Sequence, residues 1–241
     1  MRVAVLIPAR DEAESLPVTL DELSREAVDR VIVVDNGSSD ATAAIARSRG
    51  ALTVSESRVG YGSACQRGIV ALAGAAEVPD VLVFVDADDA AAPAQLERLV
   101  DPIRSGDADL VLGRRLGTGS GSVPHHARIG NRLMSAVLHR LYGSQTRDMG
   151  PFRAVRFEVL RDLALDDPDF GWNVQMQVRA LRNGYRVTEV PVAWQRRALG
   201  DSKISGSLRG SMAAAWRMVA TLVRETARGR QGGRAISREE T

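Results

Sequence analysis

Cysteine occurs once, at Cys65, so no disulfide can form within the chain, and a reducing cytoplasm is the simplest home for it. Lysine is as scarce: Lys203 stands alone among 32 basic residues, the rest being arginine. Aromatic residues make up 4% of the 241, too few for a platform on which single-stranded nucleic acid would stack, and nucleic acid is not expected as a partner. No apolar run approaches the roughly 18–20 residues of a membrane span, and no signal peptide precedes the first strand-like segment. Familiar site motifs are missing too. After the first strand-like run comes PARDEA, where a dinucleotide fold would carry GxGxxG. There is no GxxxxGK[ST] loop, no zinc-ligand spacing and no GxSxG elbow.

What is present is the composition of a soluble globular domain, 44% hydrophobic and 26% charged, with a net charge of only +2. Arginine grips phosphate bidentately where lysine acts as a point charge, so the arginine bias suits phosphate ligands. Genomic base composition accounts for it equally well, since alanine is also abundant.

Short β-branched runs alternate with helical patterns. Residues 3–9, 31–35, 52–56, 81–86 and 110–113 read as strands buried on both faces. Helical spacing or composition covers roughly 14–28, 40–49, 62–76 and 93–104, with Pro93 well placed in a first turn. The alternation predicts an α/β fold around a mostly parallel sheet flanked by helices, with right-handed crossovers. After residue 114 the rhythm changes. A glycine-serine loop (117–124) precedes a helix from Arg128 to Tyr142, helical stretches near 156–164 and 172–183, and a strand at 188–192. A long helix is expected from Ser207 to Arg228, with Leu208, Met212, Ala215, Val219 and Leu222 on one face and Arg217, Arg224 and Arg228 opposite. The expected organisation is one domain over 1–228, made of a first half (1–115), a second half (116–206) and this helix. A tail at 229–241 has the composition of disorder.

In sheets of this kind ligands bind beyond the carboxyl ends of the strands. Strand one ends in Pro8-Ala9-Arg10-Asp11-Glu12, strand two in Asp35-Asn36-Gly37-Ser38-Ser39-Asp40, and strand four in Asp86-Ala87-Asp88-Asp89. Three carboxylate clusters thus converge on one edge, where they repel each other unless a cation joins them. A divalent ion bridging a diphosphate meets that need, since Mg²⁺ takes one or two carboxylates and completes its shell with phosphate oxygens and water. The plainer use of such residues is helix capping, and Asp40 and Asp89 suit it.

PARDEAESL, VVDNGSSDAT, GYGSACQRGI, FVDADDA, DMGPFRAVR, GWNVQMQVRA, EVPV and RRALGDSKISG follow one another in an order and spacing that resemble the family 2 glycosyltransferases of GT-A fold. The likeness is greatest to the branch of dolichyl-phosphate mannose synthase and its bacterial polyprenyl-phosphate relatives, and spans about residues 2 to 212. It implies an inverting transfer from a UDP- or GDP-sugar, with Mg²⁺ or Mn²⁺ as cofactor. Pro8, Ala9 and Glu12 would line the nucleotide pocket, and Asp35 would bind the base or ribose. Asp86 would contact ribose or metal across Ala87, and Asp88 would be the main metal ligand. Arg114, following strand five, would lie near the transferring phosphate or acceptor, and Asp148 near the sugar. Arg197, Ser202 and Lys203 match a loop that closes over the diphosphate.

Where relatives commonly carry an acidic residue in GW-x-x-E-M-Q, this chain has Gln175. A phosphate acceptor is already ionised near pH 7 and needs no base. Gln175 therefore favours a phosphate acceptor, polyprenyl phosphate in particular, although Asp148 or Asp89 would remain as bases and Gln175 could simply bond the sugar. Arg128 and Arg132, one helical turn apart, could clamp the acceptor phosphate with help from His126. A lipid acceptor would bring the chain to a membrane surface, at the inner face, with the arginines of the last helix toward anionic headgroups. Packing of that helix on its own domain or on a second copy is the alternative. A hydroxyl acceptor, a sugar-1-phosphate nucleotidyltransferase and a non-catalytic nucleotide-sugar binder are the competing readings.

Overall fold

A computed structural model describes residues 1–116, 125–193 and 216–227, with the side chains of 125–129 excepted. The elements are β1 (Val3–Ala9), α1 (Leu16–Leu23), β2 (Arg30–Asp35), α2 (Thr42–Ser48), β3 (Leu52–Ser55), α3 (Tyr61–Ala73), β4 (Val81–Phe84), a 3₁₀ turn (Pro93–Gln95), α4 (Leu96–Arg104), β5 (Leu110–Leu116), α5 (His125–Tyr142), β6 (Arg153–Arg156), α6 (Phe157–Asp162), α7 (Trp172–Arg182) and β7 (Val187–Ala193). Residues 216–227 form a further helical segment. The strands make one seven-stranded sheet in the order β3-β2-β1-β4-β6-β5-β7. Only β6 runs antiparallel to its neighbours, between β4 and β5.

Apolar layers cover both faces of the sheet. On one, Val5, Ile7, Val33, Val83 and Val111 pack under α1 and α4. On the other, Leu6, Ile32, Val34, Leu82 and Leu112 pack under α3 and α7, with Trp172 and Met176. A third cluster joins α5, α7 and the 216–227 helix through Met134, Leu138, Val174, Val178 and Leu222. Two glycines fix how α3 lies. A Cβ at Gly68 would stand 2.4 Å from Leu6 Cδ1, so the helix rests directly on β1. A Cβ at Gly62 would stand 2.0 Å from the Asp167 carbonyl oxygen, so its first turn abuts the segment leading into α7. There the Ser63 amide donates to the Pro168 carbonyl at 2.9 Å.

The structure departs from the sequence expectations in several places. β3 is an edge strand with Leu52 exposed, not buried on both faces, because no strand covers its outer side, and α5 begins at His125 instead of Arg128. β6 was not anticipated: it is four residues with an arginine at each end, a pattern that does not read as a central strand. β4 stops at Phe84, so Asp86 lies in the loop beyond it. α1 stops at Leu23, its end closed by tighter bonds from the Arg25 and Glu26 amides to Glu22 and Leu23. β5 runs on to Leu116, which places Arg114 inside the strand rather than after it.

Candidate active site

β1 is followed by β2 on one side and neighboured by β4 on the other, so the chain reverses its direction of travel at the β1–β4 boundary, where α/β sheets open a crevice. Ala9 at the end of β1 is in register with Asp35 of β2, and Leu6 is in register with Phe84 of β4. Pro8, Ala9, Glu12, Asp35, Asp86, Ala87 and Asp88 are thereby brought to one edge, as their positions after the strands required.

The loops carrying these residues are stapled together. The Asp11 amide donates to Ser38 Oγ at 2.9 Å, and the Ser39 amide and hydroxyl donate to Asp11 Oδ1 at 2.6 and 3.0 Å. The Glu12 amide donates to Thr42 Oγ1 at 2.8 Å, while Asp40 accepts from the Ala13 and Thr42 amides. Asp40 is therefore a pin between two loops. Asp11 is another, held at a φ of 49° that few non-glycine residues adopt. The Glu12 carboxylate accepts from Ser15 Oγ at 2.5 Å and Asp35 from the Ser38 amide at 3.2 Å. Asn36 ties in the loop before α3, donating to the Glu56 and Arg58 carbonyls and accepting from the Gly60 amide. Beneath Asp86 and Asp88, the buried Thr19 hydroxyl donates to the Ala87 carbonyl at 2.9 Å and fixes that loop to α1. Asp89 caps the following turn by accepting from the Ala91 and Ala92 amides. Burial, and then the neighbouring Asp88 charge, push its carboxyl up to about 6.

A cation facing this edge is Arg115, which lies within electrostatic reach of Asp86 and Asp89. Its guanidinium is held by Asp148 through a bidentate pair, Nε to Oδ2 at 2.9 Å and Nη2 to Oδ1 at 2.8 Å. Asp148 also accepts from the Arg115 and Met149 amides and from Asn131 Nδ2 of α5. Burial alone would raise the Asp148 carboxyl, but Arg115 outweighs it and keeps it below the usual carboxylate range. That makes Asp148 a weak base and a firm anchor for Arg115. Glu189 of β7 steadies the same turn by accepting from the Arg147 and Asp148 amides at 2.7 and 2.6 Å. Successive strand residues point to opposite faces, so Arg114 turns away from Arg115. It lines a separate cleft of about 290 Å³ with Gln145, Thr146, Arg147 and Glu189.

Gln175 departs furthest from expectation. It is fully buried, its oxygen accepts from the Asp166 and Asp167 amides, and its nitrogen donates to Asp166 Oδ1 and Glu225 Oε1. A primary amide has two donors and two lone pairs, and all four are taken. It can neither bond the sugar nor report on the need for a base. Its partners belong to an ion network in which Arg179 holds Glu225 (Nε to Oε2, 2.9 Å) and Arg224 holds Asp167 (3.0 Å), tying the 216–227 helix to α7.

Of the proposed acceptor residues, His126 and Arg128 lie on the first turns of α5, and Arg132 is exposed on its next turn. Asn131, bonded to Asp148 at 2.6 Å, brings this part of α5 over the Asp148 turn. Arg197, Ser202 and Lys203 lie outside the described residues. Sequence reading missed Arg115, Thr19, Asn131 and Glu189. Among the described residues no group of three or more histidine, cysteine, aspartate or glutamate side chains could hold a metal.

Comparison with known proteins gives concordant results. A family model described as glycosyl transferase family 2 matches residues 4–164. An uncharacterized glycosyltransferase of Mycobacterium tuberculosis is 41% identical over 212 residues, 88% of this chain and 94% of its own. The undecaprenyl-phosphate mannosyltransferase of Micrococcus luteus is 37% identical over 224 residues, 87% of this chain and 90% of its own. Glucosyl-3-phosphoglycerate synthase of M. tuberculosis, crystallised with Mn²⁺, UDP and glucosyl-3-phosphoglycerate, superposes with a TM-score of 0.76 at 24% identity. The superposition covers 93% of this chain and 79% of that one, which identifies the fold as GT-A.

Proposed function

Since the chain belongs to glycosyl transferase family 2 and is a glycosyltransferase, we propose that it moves a sugar from a UDP- or GDP-sugar to polyprenyl phosphate, with Mg²⁺ or Mn²⁺ and with inversion at the anomeric carbon. Membership of that family displaces the nucleotidyltransferase and non-catalytic readings. The observation that carries the proposal is the meeting of Asp35, Asp86 and Asp88 on one edge at the β1–β4 crevice, with Arg115 turned toward it.

Asp86 and Asp88 fit an ion that takes two carboxylates from protein and its other oxygens from a diphosphate, because no third carboxylate joins them among the described residues. Such an ion would offset charge on the departing diphosphate. Pro8, Ala9, Glu12 and Asp35 frame the space for base and ribose. The acceptor phosphate oxygen attacks the anomeric carbon in line as the bond to the diphosphate oxygen breaks, giving a glycosyl phosphate and a nucleoside diphosphate. No proton need be removed from a phosphate already ionised. Arg115, fixed by Asp148 before any ligand arrives, offers a preorganised guanidinium to phosphate at the moment charge shifts. Support for this acceptor comes from Arg115 and from the activity named for the Micrococcus relative, not from Gln175.

A lipid-linked acceptor calls for a membrane surface, and among the described residues no helix is long and apolar enough to cross one. The 216–227 helix offers a contact different from that expected. Arg217 and Arg224 are spent on Asp169 and Asp167. Met218 and Leu222 pack inward, while Trp216, Val219 and Val223 stand exposed on one stripe. We propose insertion of this apolar stripe among lipids rather than pairing of arginines with headgroups.

The test is incubation with undecaprenyl phosphate and a panel of UDP- and GDP-sugars, with metal and with EDTA, followed by mass spectrometry. A metal-dependent glycolipid is expected. Transfer confined to hydroxyl acceptors would contradict the acceptor assignment.

A further inference from the structure

Arg153 opens β6 in register with Phe84 of β4 and Leu112 of β5, and none of its surface is exposed. It therefore projects into the apolar layer that holds Phe84, Leu112, Trp172 and Met176. Among the described residues no carboxylate lies within ion-pair distance of it. Burial lowers its pKa to about 10, which leaves it charged at neutral pH. Burying a guanidinium without a paired anion is costly, and a methionine of similar volume would suit the layer better. Structural convenience alone does not account for it.

Its hydrogen bonds show what it holds. Nη2 donates to the Gly150 carbonyl, and Nη1 donates to the Asn173 carbonyl at 3.0 Å. Gly150 belongs to the turn that carries Asp148, and a Cβ there would lie 3.3 Å from Arg115 Nε and 3.6 Å from Asp148 Oδ2. Asn173 is in the first turn of α7. One planar fork thus spans two elements, and one of them is the turn that aims Arg115. The Arg153 charge is also within electrostatic reach of Asp86 and Asp148. Its Nε has no partner, so the two carbonyls, rather than full satisfaction of the group, set its place.

We propose that Arg153 is a positioning residue for glycosyl transfer, clamping the Asp148 turn to α7 so that Arg115 faces the carboxylate edge. This rests on the proposal that this edge is the transfer site. A displacement of about 1 Å at a reacting centre costs about 100-fold in rate, and that is the scale expected when the clamp is removed.

The experiment compares the full chain with Arg153→Met and Arg153→Lys, using undecaprenyl phosphate and whichever UDP- or GDP-sugar the wild type turns over. Arg153→Met removes the buried charge but leaves the Gly150 and Asn173 carbonyls without their donor, so the unfolding midpoint is read beside kcat to show that the variant is folded. Its kcat should fall about 100-fold with little change in donor KM. Arg153→Lys keeps the charge but cannot span both carbonyls with a planar fork, and should stay impaired. Because the effect runs through Arg115, the double variant Arg153→Met/Arg115→Met should be no slower than Arg115→Met alone. Wild-type kcat in Arg153→Met, or losses that multiply in the double variant, would overturn the inference. If Arg153→Met does not fold, wild-type kcat in Arg153→Lys overturns it. Asp88→Asn separates the two levels. If that variant is fully active, the edge is not the transfer site. If it is dead while Arg153→Met is unimpaired, only the positioning role fails.

Discussion

Arg114 and Arg115 show how much one position decides. Both follow a run, LVLG, that is buried on either face, so nothing in the sequence says which parity of the pleat faces the carboxylates. Only the Asp148 pair settles it. Arg115→Met should lower kcat by about 100-fold, the scale of losing a preorganised donor at developing charge, while Arg114→Met should leave it near wild type; steady-state kinetics of the two variants decide. Gln175 was visible as a departure from the family pattern, yet its four partners lie on the segment before α7 and on a helix fifty residues on, and spacing cannot reveal them. The same network makes a prediction about pH. Burial works to raise the Glu225 carboxyl, but Arg179 and Gln175 outweigh it and hold it below its ordinary 4.5. A depressed carboxylate gives stability that is present above its unfolded value and lost as pH falls through the lower folded one. Asp148 and Asp109 act in the same direction. Glu225→Gln should therefore be less stable at neutral pH and flatter on the acid limb, as read by unfolding midpoints from about pH 7 to about pH 3.

At the scale of elements, the strands that build the edge were legible because each is a continuous apolar run ending in a polar cluster. β1 matches its expected bounds and β2 and β3 differ by a residue. β6 was not legible, since a four-residue strand bracketed by arginines lacks both alternation and length. Gly60, Gly62 and Gly68 were visible as a glycine-rich stretch, but their use is packing: α3 presses on β1 and on the segment before α7. Gly62→Ala must shift a backbone carbonyl, not a flexible side chain. It should cost about 1–3 kcal/mol, or about 2–4 °C of unfolding midpoint per kcal/mol for a chain of this size. An unchanged midpoint would show that the α3 contact is looser than drawn.

For the whole molecule, the sequence identified an amphipathic last helix but not which side would meet protein. Ion pairs to Asp169 and Asp167 capture Arg217 and Arg224, while Trp216 is 73% exposed. Binding to vesicles that contain phosphatidylglycerol should then survive about 0.5 M salt, where exposed charges are screened within a few ångströms, and should be lost in Trp216→Ala/Val223→Ser. Loss of binding with salt, in cosedimentation, would instead favour headgroup pairing. The proposed metal-dependent nucleotide-sugar site at Asp86 and Asp88 is open to one decisive measurement, thermal unfolding of the wild type and Asp88→Asn with UDP, GDP and their sugar conjugates, with Mn²⁺ or Mg²⁺ and again with EDTA. A ligand at 100 times its Kd should stabilise the wild type by about 2.7 kcal/mol, only with metal, with one base, and not in Asp88→Asn. No rise with any nucleotide, or an equal rise in the variant, would contradict the site.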